Sequence, residues 1–233
     1  MYGNSCESIF RTTEQWSPLS SDARPASPHI KGSGMSVHTE HAAFFSLPTA
    51  IATEEDRAKH EVWQSLGSLT KALLSTDGTL TLLLDAFSGE SVETVLLAQQ
   101  TERAGAVSGR ATMSLDPDEP MTRREVLLRT ALSKRNLVYA ESRIADARLP
   151  PGIHASLMQG TRPIGLLLRS ARIESFRELL DWGIHPLGDA PCPNACFDAT
   201  ELVYRSYHIV VASRPVMRIT EYFPRGLFEG GDE

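Results

Sequence analysis

The stretch LVYRSYHIVVASRPVMRITEYFP, residues 202–224, decides how this chain folds. Its two halves are rich in Val, Ile, Tyr and Phe, and ASRP between them has turn chemistry, so two adjacent antiparallel strands are predicted. Successive side chains on a strand point to opposite sides. Met217, Ile219, Glu221 and Phe223 therefore share one face of the second arm, while Val216, Arg218, Thr220 and Tyr222 share the other. The first face is apolar apart from Glu221. A carboxylate there must be paired, hydrogen-bonded or protonated, because an isolated charge among apolar groups is costly. A partner is expected elsewhere in the chain.

A second hairpin reads the same way. Residues 123–132 (RREVLLRTAL) and 136–145 (NLVYAESRIA) are separated by SKR. Arg124, Val126 and Leu128 share a face of the first arm, and Val138, Ala140, Ser142 and Ile144 share one of the second. Arg124 thus repeats the anomaly of Glu221 with the opposite sign. Upstream, SVETVLLAQQT (residues 91–101) is a strand by its β-branched content, and residues 104–120 form a Gly, Ser, Asp and Pro-rich loop.

The remaining segments are predicted to be helical. EEDRAKHEVWQSLGSLTKALLS, residues 54–75, reads as one amphipathic helix with Val62, Leu66, Leu69 and Leu73 on one stripe, ending at Asp77-Gly78. A short helix follows, with Leu80, Leu83, Leu84 and Phe87 at three- and four-residue intervals. Pro150-Pro151 open another helix that runs through Met158, and Pro163 interrupts the chain before IGLLLRS. ARIESFRELLDWG, residues 171–183, reads as a further helix, and a Pro, Gly and Cys-rich loop spans residues 183–199. Residues 1–50 have the composition of a tail, with the start at Met1 or Met35 left open, and residues 225–233 are a polar acidic tail. The body, residues 54–224, reads as a single α+β domain on an antiparallel sheet.

Composition narrows the function classes. A 233-residue chain that is 41% hydrophobic can build a core, and a formal net charge of −6 without a long Lys/Arg cluster argues against a nucleic-acid grip, so no DNA or RNA partner is expected. Three cysteines do not form a secreted disulfide framework. Cys192 and Cys196 stand as C-x3-C, but no second ligand pair follows, so unpaired loop cysteines and no metal are expected. No apolar run approaches the roughly 20 residues of a membrane span, and no signal-peptide core is present, so the cytoplasm is expected. No Gly-rich phosphate loop, G-x-S-x-G elbow, H-E-x-x-H or GxGxxG pattern occurs. His154 reads as a surface or packing histidine, and His208 faces Ser206 and Val210 on its strand.

That leaves Arg124 and Glu221. Two readings stand side by side: a buried ion pair, or opposite walls of a closed, mostly apolar pocket for a small anion. In the second, guanidinium grips a carboxylate through paired hydrogen bonds, and the carboxylate accepts from a hydroxyl or handles a proton.

Six blocks in series carry a resemblance: STDGTLTLLLDAF (75–87), RREVLLR (123–129), LVYAESRI (137–144), RLPPGI (148–153), RPIGLLL (162–168) and YRSYHIVVASRPVMRITEYF (204–223). Together they are similar to chorismate lyases, the chorismate pyruvate-lyases that make 4-hydroxybenzoate, in the divergent branch distinct from the enterobacterial type. The resemblance implies an antiparallel sheet with helices over one side and an internal ligand cavity beneath two helical flaps. It implies that Arg124 binds the ring carboxylate and that Glu221 stands at the hydroxyl end. Ile164 in RPIG matches an apolar flap residue, commonly Leu, and Leu80 falls near another, commonly Met. No cofactor is implied, and the partners are the small molecules chorismate and 4-hydroxybenzoate, bound by a monomer or small homo-oligomer.

Two other functions fit the same fold. One is an effector-binding module of the kind found in transcription regulators, although no basic helix-turn-helix is legible in the first 60 residues. The other is a related biosynthetic enzyme acting on a different carboxylated substrate.

Overall fold

A computed structural model of the chain describes residues 53–106, 113–160, 162–192 and 196–227. The expected N-terminal tail, with Met1 and Met35, lies outside the described residues. Among them, six strands form one antiparallel sheet: β1 (Val92–Arg103), β2 (Pro120–Thr130), β3 (Asn136–Ala145), β4 (Phe176–Pro186), β5 (Glu201–Val211) and β6 (Arg214–Pro224). The strand order is β1-β2-β3-β6-β5-β4, so two meanders join where β3 pairs with β6. Both hairpins read from the sequence are present, and β6 is an interior strand.

Among the described residues the α-helices cover one face. Helix α1 (Glu54–Ser65) starts in a capping box: the Asp56 backbone N–H donates to the Thr53 hydroxyl at 3.1 Å, and the Thr53 N–H donates to the Asp56 carboxylate at 3.0 Å. The single helix expected over residues 54–75 is two, because Leu66 and Gly67 are extended and Gly67 becomes the N-cap of α2 (Ser68–Ser75). The break turns Leu66 into a cluster with Trp63, Leu74, Trp182 and Val203, where the Trp63 and Trp182 rings meet edge-on at 5.3 Å. Helix α3 (Leu80–Ser88) ends at Gly89, whose φ of 67° is the left-handed conformation of a helix C-terminus. Helices α4 (Pro151–Met158) and α5 (Ile164–Ser170) follow β3.

The helix expected over residues 171–183 is instead the turn leading into edge strand β4, and the loop expected from Gly183 begins only after Pro186. A bulge at Leu180 explains the misreading. The β4–β5 register slips between Leu179 and Asp181, so Leu179 and Trp182, three residues apart, pack into the same cluster. Three-residue spacing imitates a helix.

Two core clusters flank the middle of the covered face. Leu73, Leu80 and Leu84 pack on Leu128, Val138 and Phe223 at one end. Leu157, Ile164 and Leu167 pack on Ile144, Tyr207, Ile209 and Ile219 at the other. Between them the central strand carries Ala140 and Ser142, whose small side chains leave the floor of a pocket unfilled. On the opposite face, the segment after β4 lays Cys192 and Phe197 over Leu127, Tyr139 and Tyr222. Cys192 and Cys196 are free thiols, both pushed up in pKa by burial, and no three His, Cys, Asp or Glu side chains cluster as metal ligands among the described residues. No helix among them is long and apolar enough to cross a membrane. The described part of the C-terminal segment is anchored: Arg225 Nη1 lies 2.6 Å from Glu201, and Leu227 packs against the cluster of Leu73, Leu84, Leu137 and Phe223.

Candidate active site

The pocket lies between the inner sheet face and the N-terminal ends of α3 and α5. Together with open solvent at its mouth, the space there comes to about 500 Å³. Arg124, Ser142, Ile219 and Tyr207 form one cross-strand row of the floor; Val126, Ala140 and Glu221 form the next, and Arg205 continues that row beyond the lining residues. All four residues singled out in the sequence, Leu80, Arg124, Ile164 and Glu221, line this pocket. Leu80 opens α3 and Ile164 opens α5, so each contributes an apolar wall from a covering helix.

Arg124 and Glu221 do not pair with each other. They sit two strands and one row apart, about 12 Å between Cα atoms for a strand spacing of about 4.8 Å and a rise of about 3.4 Å per residue. The ion-pair reading therefore fails for these two. Arg124 is 1% exposed, and its Nη2 donates to the carbonyls of Gly160 at 2.9 Å and Arg162 at 3.4 Å. Among the described residues its Nε has no hydrogen-bond partner, and no carboxylate lies within ion-pair distance. Burial alone pulls its pKa down. A guanidinium stays charged even so, and this one is held where an anion would relieve the cost of its burial.

The carbonyls that hold Arg124 belong to the link between α4 and α5. Gly160 adopts φ +76° there, and a Cβ on it would stand 2.7 Å from Leu96 Cδ2. The Leu96 end can shift, so the left-handed backbone is the larger obstacle. Gly160→Ala is expected to cost about 1–2 kcal/mol and to loosen anion binding by displacing the link; an unchanged urea midpoint would count against the strain argument.

Glu221 has the partners its position demanded. Arg205, directly across on β5, donates from Nε to Glu221 Oε2 at 2.7 Å, and the Tyr207 hydroxyl donates to Oε1 at 2.8 Å. Burial and the nearby Glu221 carboxylate push the Tyr207 pKa far up, so the phenol keeps its proton and remains a donor. Arg205 is 1% exposed; its Nη1 also donates to the carbonyls of Thr76 at 2.9 Å and Leu74 at 3.4 Å, tying the end of α2 to the sheet. Neither Arg205 nor Tyr207 stood out in the sequence. The available signal was the alternation Val203, Arg205, Tyr207, Ile209 on the arm facing Glu221, but the pairing depends on a bulge between Ile209 and Val210. Arg177, a further lining residue, was hidden in the segment read as a helix. His208 faces away from the pocket side and contacts Glu178 at 3.4 Å.

The arrangement suits one small anionic ring: an unanswered cation at one end, an anchored carboxylate at the other, apolar walls above and small residues below. Residues 74–229 match the family model described as Chorismate pyruvate-lyase Rv2949c-like. The chain is 30% identical over 165 residues to a protein named chorismate pyruvate-lyase in Mycobacterium leprae (strain TN), covering 68% of this chain and 75% of that one. It is 28% identical over 174 residues to a protein of the same name in Mycobacterium tuberculosis (strain CDC 1551 / Oshkosh), covering 68% of this chain and 80% of that one. Among solved structures, PhnF from Mycobacterium smegmatis aligns with a TM-score of 0.48 at 14% identity, covering 65% of each chain.

Proposed function

This chain belongs to the Rv2949c-like chorismate pyruvate-lyase family, and we propose that it converts chorismate to 4-hydroxybenzoate and pyruvate. The observation that supports the reading is the buried guanidinium of Arg124, without a carboxylate partner among the described residues, in the same pocket as a Glu221 fixed by Arg205 and Tyr207. Arg124 takes the ring carboxylate and Glu221 the hydroxyl para to it.

The reaction asks little of the protein. The bond from ring C3 to the enolpyruvyl oxygen breaks, the C4 hydrogen leaves as a proton, and the freed electron pair completes the aromatic ring. The departing enolpyruvate gains a proton on its methylene carbon and becomes pyruvate. Electrons balance without an external oxidant or reductant. The chain's part is to fix the ring between Arg124 and Glu221, to hold the ether in a reactive conformer under Leu80 and Ile164, and to exclude water. Glu221 is the group positioned to accept from the C4 hydroxyl and to assist departure of the C4 proton.

Incubating the purified protein with chorismate and following 4-hydroxybenzoate by absorbance and chromatography tests this directly. Stoichiometric 4-hydroxybenzoate and pyruvate are expected. Binding of chorismate with no product would instead make the domain a binding module, and neither binding nor product would point to a different carboxylated substrate.

A further inference from the structure

Chorismate is a dianion, and the geometry of its second carboxylate singles out one more residue. The enolpyruvyl ether is attached at C3, beside the C4 hydroxyl. If Glu221 faces that hydroxyl, the carboxylate of the ether must be answered near the same end of the pocket, away from Arg124.

The cation available there is Arg177. Its Cζ lies 5.6 Å from the centre of the Tyr207 ring, and the Tyr207 hydroxyl is the one that donates to Glu221. Its Nη2 lies 3.6 Å from the point where a Cβ on Gly165 would stand, and Thr79 Oγ1 is 3.7 Å from the same point. Arg177 thus sits at the seam where α3 and α5 approach each other, and the missing side chain of Gly165 keeps that seam open. The arm is held from behind: Nη1 donates to the Asp77 carbonyl, and the Arg177 backbone N–H donates to the Asp77 carboxylate at 2.7 Å. The Asp77 carboxylate is 3.8 Å from Nη1, too long for a hydrogen bond, and among the described residues Nε has no partner. Arg177 is 16% exposed at its side chain, so water reaches it only in part.

Charge counting points the same way. The charged residues lining the pocket are Arg124, Arg177 and Glu221, and Glu221 is already matched by Arg205. Among the described residues Arg124 has no carboxylate within ion-pair distance, and Arg177 has only the half-exposed Asp77 at 3.8 Å, which suits a ligand with two negative charges.

We propose that Arg177 binds the second carboxylate of the substrate and makes the site prefer the dicarboxylic substrate over the monocarboxylic product. The assignment rests on the chorismate pyruvate-lyase reading. It also gives product release a cause: once pyruvate departs, only the Arg124 end still grips a carboxylate.

The test compares Arg177→Gln and Arg177→Lys with the parent, after thermal melts establish that both variants fold. KM and kcat are measured for chorismate, and Kd for 4-hydroxybenzoate by calorimetry. Arg177→Gln is expected to raise KM about tenfold to a hundredfold, the scale of a lost charge-assisted contact at a partly exposed site. Its Kd for 4-hydroxybenzoate should stay within about threefold of the parent's, and Arg177→Lys should recover part of the loss in KM. An unchanged KM, or a product Kd weakened as much as KM, overturns the assignment. If the parent gives no turnover, the lyase reading has failed first. Calorimetric Kd values for chorismate and 4-hydroxybenzoate then decide for Arg177: selective weakening of chorismate supports the assignment, and equal weakening or none overturns it.

Discussion

Arg124→Met is expected to lower kcat/KM for chorismate by about 10³-fold while leaving the unfolding midpoint near that of the parent. The two effects separate because this guanidinium is buried without a counterion among the described residues. Removing a charge from a buried, hydrogen-bonded pair costs about 2–5 kcal/mol of binding, and each 1.4 kcal/mol is roughly tenfold, so the loss of the ring-carboxylate contact reaches about three decades. For folding the balance is different. Methionine deletes a desolvated charge that disfavours the native state, but it also deletes the donors to the Gly160 and Arg162 carbonyls. Those contributions oppose each other at a few kcal/mol each. Chemical denaturation should place the variant within about 1–2 kcal/mol of the parent, and 4-hydroxybenzoate should stabilise the parent but not the variant. A large loss of stability with unaltered kcat/KM would mean that Arg124 is a structural strut.

Arg205→Met should behave in the opposite way. Here the partner left behind is Glu221, 5% exposed, flanked along its strand face by Ile219 and Phe223 and bonded by the Tyr207 hydroxyl. Breaking a buried ion pair from one side costs about 3–5 kcal/mol because the remaining charge is uncompensated. The lost bonds to the Leu74 and Thr76 carbonyls add to this by freeing the end of α2. The double change Arg205→Met with Glu221→Leu should recover most of the stability, since an apolar pair of similar volume replaces the ionic one. It should not recover turnover. A single variant as stable as the parent would show that the pair is solvated in solution and that Glu221 needs no anchor.

Legibility in the sequence varied with the range of the interaction that decides each feature. The strands β2, β3, β5 and β6 were readable because alternation of apolar side chains is a local property. The same alternation put Arg124 and Glu221 on inward faces before any partner was known, and both line the pocket. Leu80 and Ile164 came from the resemblance alone. Strand β4 and the break at Gly67 were missed. In β4 a bulge gives Leu179 and Trp182 a helical spacing, and at Leu66 the chain leaves the helix to fill a gap beside Trp182 that no local window contains.

The sequence by itself determined that two ionisable side chains of opposite sign would face an apolar interior, because burial follows from side-chain period and composition. Only the tertiary structure decided that they belong to different pairs of contacts. Which residue stands across from Glu221 is set by one extra residue, Val216, at a bulge on its own strand, and that choice gives it Arg205 and, among the described residues, leaves Arg124 without a carboxylate partner. Cross-strand neighbours are fixed by register, a long-range property, and register is where a chain of this composition turns two buried charges into a binding site.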